Sequence, residues 1–446
     1  MLTKLRTLAS LYRQLGLRWL TFRFAYAFRL RTGIIRLQTP IYKWTDRPLE
    51  TWLKKNIPSQ PEAYAIWRRQ NSPNFFSAVG AGSPRPEFRD PAINEADRIL
   101  NGEIKYFAHK FQKTGFPPDW HKDPVSGIKL NSNKHWSQLS DDNVVARRAL
   151  ALSDEAISSN GEVASARIKN ASQRQTDIKF IWESSRFGMV YTLVRAYVAT
   201  NDEKYTEAFW KLISDWAEHN PPNTGANWKD GQEIALRLMA WTFGFYAFIN
   251  SPSTTPERIS QFTLYVAAQA ERIYKNIDYA ISTCSNHTIS EAFGLWLVGL
   301  LFPELKDAEK YFSTGRDLLE QEAANQIFPD GSYAMYSLNY HRFVLHIYLC
   351  AIRLGDLNQS PISNLVLQRI ANSIQYLSNL IDPQTGQMPV YGSNDGALVL
   401  PLNNCDFTDY RPLLQLGSVI TKGERMFESG EWDEDVFWLC GEQTLA

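Results

Sequence analysis

Four segments of this sequence set chemistry-bearing side chains inside apolar surroundings. In "STCSNHTISEAFGLWLVGL" an Asn286-His287 pair opens onto an almost wholly apolar run, with Glu291 four residues after the histidine. In "DIKFIWESSRFGMVYTLVRAYV" Glu183 and Arg186 stand three apart, and in "NWKDGQEIALRLMAWTF" Glu233 and Arg237 stand four apart, with Trp228 just ahead. In "FPDGSYAMYSLNYHRF" Tyr336 and Tyr340 share a helical face and His341 follows. Each has a plain structural reading. Thr288 with Glu291 fits a capping box, and Ser285 or Asn286 also suits an N-cap. The Glu–Arg pairs fit ordinary surface ion pairs worth a few tenths of a kcal/mol, and the tyrosines fit a helix packed on a core. The flanking Trp182, Trp228 and Trp241 suggest instead a wall shielded from water, where arginine favours an anionic ligand.

Together the segments offer Asn, His and Tyr from two helix entrances with Arg nearby, a set suited to β-elimination on a uronate polymer. That reaction needs the carboxylate neutralised by hydrogen bonding, which Asn, His⁺ or Arg can do. It needs a base for the C5 proton and an acid for the leaving O4, and Tyr serves as either if neighbouring positive charge lowers its pKa. No metal is obligatory, and no cofactor is expected. A glycoside hydrolase would need two carboxylates about 5–10 Å apart; Glu183, Asp230, Glu233, Asp330 and Asp395 are candidates without a clear acid–base pairing. A non-catalytic glycan-binding protein that keeps the cleft is the third reading.

The elements that must position these groups are helical. Periodicity predicts helices over 142–157, 177–199, 203–218, 231–249, 255–281, 288–302, 305–327, 338–353, 360–380 and 409–419, with short Pro-, Gly- or Asn-bearing links. Successive helices joined this way form antiparallel hairpins, so the fold class is all-α, an incomplete (α/α) toroid. Residues 1–38 read as a basic amphipathic helical segment, 39–140 as irregular wrapping with short helices, and 141–446 as the toroid.

The 446 residues carry 47 basic and 47 acidic side chains, and this neutrality argues against nucleic-acid binding. The balance is uneven. Residues 1–36 hold eight Lys/Arg and no acid, which leaves the rest eight charges negative. That segment reads either as a helix packed on the body with its arginines in solvent, or as an attachment to an anionic membrane or polymer. The longest clean apolar run, Ala292 to Phe302, is too short to span a bilayer, and no signal peptide stands out. The four cysteines form no CxxC motif and fix neither a zinc site nor a compartment. Aromatics reach 13%, with 14 Trp, and some are expected to line a sugar-binding cleft.

The blocks "DIKFIWESSRF", "NWKDGQEIALRLMAW", "SNHTISEAFGLWLVGLLFP", "PDGSYAMYSLNYHRF" and "YGSNDGALVLPL" resemble, in order, those of the heparinase II/III-like polysaccharide lyases, over roughly residues 90–441. The resemblance implies a toroid followed by a β-sandwich, and elimination on an acidic, uronate-containing polysaccharide handled in the periplasm or at the bacterial surface. It implies that Asn286 holds the uronate carboxylate, that His287 assists it or acts as base, and that Tyr340 is the general acid, or also the base for one uronate epimer. Arg237, Glu233 and Trp228 match the block that lines the family's cleft, and Glu291 matches the acid after Asn-His; His341, Arg186 and Glu183 are expected beside the substrate. Two departures stand out. Met335 replaces a frequent Glu, and the chain stops at "FWLCGE", so the sandwich, with its further catalytic His, is expected to be missing.

Overall fold

The computed structural model describes residues 2–76, 79, 84–139 and 176–445. The chain starts with helix α1 (Leu2–Thr32), kinked at Gly16, where φ is 80° and ψ is 170°. A short α2 (Ile34–Gln38) follows. Then come α3 (Pro61–Gln70) and α4 (Pro86–Leu100), each with proline at its start, where the missing N–H costs nothing. A two-stranded antiparallel hairpin, β1 (Glu103–Tyr106) and β2 (Lys110–Lys113), pairs Glu103 with Lys113.

The toroid helices are α5 (Lys179–Ser185), α6 (Met189–Thr200), α7 (Glu203–His219), α8 (Gly231–Phe248), α9 (Pro256–Tyr274), α10 (Ile277–Thr283), α11 (Asn286–Leu301), α12 (Ala308–Gln326), α13 (Leu338–Leu357), α14 (Asn364–Ser378), α15 (Arg411–Lys422) and α16 (Glu434–Cys440). They pack as antiparallel hairpins in an incomplete (α/α) toroid, around a core that runs through nearly every element. The expected helix 142–157 lies outside the described residues. Two others divide. The 177–199 run breaks at Phe187, whose φ of 61° is left-handed, beside Gly188. The 255–281 run breaks at Asn276, where ψ is 8°.

Helix α11 is the hub, touching α8, α9, α10, α12 and α13. Its approach to α12 depends on Gly315: a Cβ there would sit 2.4 Å from the Trp296 backbone nitrogen. The described residues between 40 and 139 wrap the toroid and are pinned to it by polar and aromatic contacts. Trp44 Nε1 donates to the Ala217 carbonyl at 2.8 Å. Arg68 and Glu304, both sealed from solvent, pair at 3.2 Å, and Tyr64 donates to the same carboxylate at 2.8 Å. Trp120 stacks on Phe187 with ring centroids 5.0 Å apart. The tryptophans thus serve mainly as core: Trp120, Trp210, Trp216, Trp228, Trp241, Trp296 and Trp438 are fully buried.

Candidate functional site

The site is assembled from helix beginnings. Asp230 caps α8, its carboxylate accepting from the Gln232 N–H at 2.8 Å. Ser285 caps α11, and Ser337 caps α13, accepting from the Tyr340 N–H at 3.1 Å. Because serines do the capping, Asn286, His287 and Tyr340 fall on first turns with side chains free to point elsewhere. Asn286 Nδ2 donates to Gln232 Oε1 at 2.7 Å, and Ser290 Oγ donates to the same oxygen at 3.1 Å. His287 Nδ1 lies 3.5 Å from Asp230 Oδ1. The beginnings of α8 and α11 are therefore locked together.

The charges around His287 decide its state. Burial alone would favour the neutral imidazole, but the Asp230 carboxylate outweighs it and raises His287 to about 9. Asp230 itself is lowered: burial opposes its charge, and His287 and the helix amides more than compensate. Glu291 behaves oppositely. Burial, then the nearby Asp230 charge, pushes it up to about 8, and its Oε2 has no hydrogen-bond partner among the described residues. Gly231 makes room for this carboxyl, since a Cβ there would sit 2.3 Å from it. Arg272 stands behind the group, its guanidinium 4.0 Å over the Trp136 ring. The ligand atoms of Asp230, His287 and Glu291 lie within 4.8 Å of one another, a spacing that could hold a metal ion. An ion there would compete with the proton that Asp230 holds on His287 and with the Arg272 charge.

On the other side of the α8 start, Arg186 grips Glu233 with two hydrogen bonds of 2.6 and 2.7 Å and reaches Glu183 at 3.2 Å. Burial works against its charge, yet the facing carboxylates of Glu233 and Glu183 hold Arg186 well above its ordinary range. Burial raises Glu183 despite that arginine. Beyond Arg186 sits Asp395, which takes a hydrogen bond from the Tyr340 hydroxyl at 3.1 Å and an ion pair from Lys179 at 2.8 Å. Burial opposes the Asp395 charge, but Lys179 first and Arg186 next keep it lowered. Tyr340 is thereby tied to Asp395, whose charge feels Arg186, while His287 feels the charge of Glu233, the carboxylate that Arg186 holds. Beside it, Tyr336 and Tyr391 are exposed, with the Leu338 N–H donating to the Tyr391 carbonyl at 3.2 Å.

Three expected lining residues lie elsewhere. Arg237 is fully buried and pairs not with Glu233 but with Gln269 Oε1 at 2.7 Å and the carbonyls of Ser185 and Asn227. Burial lowers it to about 9, and it lies 4.3 Å over the Trp216 ring. It fixes the wall from behind. Trp228 is equally sealed, donating to the Asn220 carbonyl at 3.2 Å. His341 stacks on Tyr333 with centroids 5.6 Å apart, and burial pushes it down to about 3, so it is a neutral core group. Arg237 and His341 misled because a polar residue in an apolar helix looks the same whether it faces a cleft or satisfies buried carbonyls. Conversely, Asp395 and Asp230, weighed only as hydrolase carboxylates, hold Tyr340 and His287. The Asp-x-x-Glu spacing of "KDGQE" is the signal that marks Asp230 as a cap. Lys179, Gln232 and Arg272 carried no signal. A concavity of about 620 Å³ exists elsewhere, lined in part by the Arg258–Glu207 ion pair at 2.8 Å.

Comparison with known proteins agrees with this architecture. The chain is 34% identical over 170 residues to a heparin-sulfate lyase of Bacteroides thetaiotaomicron, covering 37% of this chain and 24% of that protein. It is 31% identical over 175 residues to a heparin-sulfate lyase of Pedobacter heparinus, covering 38% of this chain and 26% of that protein. The matches thus span about a quarter of these relatives' length. A crystal structure of heparinase III superposes with a TM-score of 0.55 at 19% identity, covering 84% of this chain and 53% of that one, a likeness of fold. The family model for the heparinase II/III N-terminus matches residues 158–400, more than half of the sequence, and the chain belongs to that family.

Proposed function

We propose that this chain is a polysaccharide lyase that cleaves an acidic, uronate-containing polysaccharide by β-elimination. The observation that supports the reading is the start of α8, where Asn286 bonds Gln232 and Asp230 holds His287 cationic, with Arg186 on Glu233 and its charge felt by the Asp395 that takes the Tyr340 hydroxyl. In this reading the His287 imidazolium and the Asn286 amide take the uronate carboxylate, drawing charge from C5 so that its proton becomes acidic. A base removes that proton, the C4–O4 bond breaks as the C4=C5 double bond forms, and the Tyr340 hydroxyl protonates O4. An imidazole raised to about 9 suits carboxylate neutralisation better than proton abstraction at neutral pH. Asp395 orients the hydroxyl, and the exposed rings of Tyr336 and Tyr391 offer stacking faces for flanking sugars. The names of the relatives support an acidic polysaccharide as substrate class.

A hydrolase pair built from Glu183 and Glu233 is disfavoured, because both carboxylates are engaged by Arg186. The test is incubation with heparan sulfate, hyaluronan, alginate and polyglucuronate. Elimination gives the ultraviolet absorbance of an unsaturated uronate, unchanged by a metal chelator. Reducing ends without that absorbance mean hydrolysis, and binding without either means a non-catalytic glycan-binding protein.

A further inference from the structure

Beyond its kink at Gly16, the described side chains of helix α1 divide into a docked face and a bare one. Trp19 Nε1 donates to the Ser282 carbonyl at 2.8 Å, Tyr26 packs on Tyr279 with centroids 4.6 Å apart, and Arg23 lies 5.5 Å over the same Tyr279 ring. These contacts fix α1 on α10, which leads directly into Asn286 and His287. Leu17, Thr21, Phe24 and Phe28 follow at spacings of four, three and four, so they share the opposite face. There Leu17 is 65% exposed, Phe24 62% and Phe28 60%. Arg31, on the next turn, is exposed, and Leu37 in α2 is 81% exposed. Large apolar side chains this bare are normally buried against something.

We infer that this outward face of α1 docks on the surface of an anionic phospholipid bilayer, lying in the interface rather than crossing it. The charge pattern selects this occupant. Arg31 continues this face, Arg13 and Arg36 are also exposed, and residues 1–36 hold no acid, so a second copy would bring like charge against the first. A soluble polyanion would satisfy the arginines and leave the phenylalanines in water. An anionic lipid surface satisfies both, with rings and leucines among the acyl chains and guanidinium groups at the headgroups. No described helix is long and apolar enough to cross a membrane. Docking in this way holds the start of α11 one helix away from the lipid surface.

The test is co-sedimentation of the full chain with vesicles of phosphatidylcholine alone and of phosphatidylcholine with phosphatidylglycerol. The expected result is binding to the anionic vesicles only, weakening as salt is raised. The triple variant Leu17→Ser, Phe24→Ser, Phe28→Ser should lose about tenfold or more in affinity, since affinity scales with buried apolar area. Arg31→Glu should weaken binding as well. All four side chains are exposed, so the thermal midpoint should not move, and that measurement separates lost docking from lost folding. Equal binding to neutral vesicles, or anionic binding that survives the triple substitution, overturns the inference. So does vesicle-free behaviour in which the same variant abolishes dimerisation or dextran sulfate binding. None of these readouts depends on catalysis.

Discussion

Asp230 and Glu291 face one histidine and end in opposite charge states, and that contrast can be measured. If the imidazolium is the working form, the rate should fall as pH rises through about 9. Asp230→Asn removes the charge that raises His287, so the alkaline limb of kcat/KM should move to lower pH. An unmoved limb would assign it to another group. Stability follows the same sign. His287 is raised above its ordinary 6.5, so its stabilising contribution is complete below that value and lost as pH climbs through about 9. Glu291, raised by burial to about 8, also loses its contribution with rising pH. Melting temperature should therefore fall between neutrality and pH 9, and fall less in Glu291→Gln, which has no proton to lose. For the reaction, Tyr340→Phe keeps the ring and removes the hydroxyl. It should reduce kcat by about 10²–10⁴ with KM little changed. Asn286→Ala should harm both constants, because its carboxylate contact exists before the transition state and strengthens in it. Asn286, His287 and Tyr340 were legible because each interrupts an apolar block. Arg237 and His341 interrupt one too, and burial alone does not separate them, since Asn286 is 2% exposed and His341 1%; the difference lies in their surroundings, which the sequence does not display.

At the scale of elements, the hydrophobic period gave the described toroid helices up to α15 with ends displaced by a few residues, and missed the short α16. It failed where the interruption was conformational rather than compositional. Nothing in "ESSRFGMVY" announces that Phe187 adopts a left-handed φ of 61°, yet that corner aims Arg186 at Glu233. The close approach of α11 and α12 is likewise invisible in a hydrophobicity pattern and hangs on a residue with no side chain. Gly315→Ala should cost about 1–3 kcal/mol, because the added methyl meets backbone that cannot yield cheaply. A lowered thermal midpoint with unchanged helical circular dichroism checks this, and an unchanged midpoint would mean that the two helices can part.

Across the whole molecule, buried charges join distant stretches of chain. Arg195 on α6 and Glu434 on α16 form a bidentate pair at 2.7 and 2.8 Å, almost without solvent access. Glu434→Ala should destabilise by about 3–5 kcal/mol by stranding the guanidinium, whereas Arg195→Met with Glu434→Leu should recover most of the loss. Denaturant unfolding of the three proteins distinguishes a stranded charge from lost packing. Such long-range pairs were illegible because sequence separation hides them. The candidate site also spans two regimes of mobility. Every residue from Thr288 to Gly299 of α11 is buried, whereas Pro389 to Asn394, just before Asp395, are all exposed. In hydrogen exchange the α11 amides should open only with global unfolding, while those of 389–394 exchange by local opening. One jaw of the proposed site is then anvil and the other hammer: the proposed polymer would be admitted by yielding on the Tyr340 side, against an Asn286–His287 side that stays still.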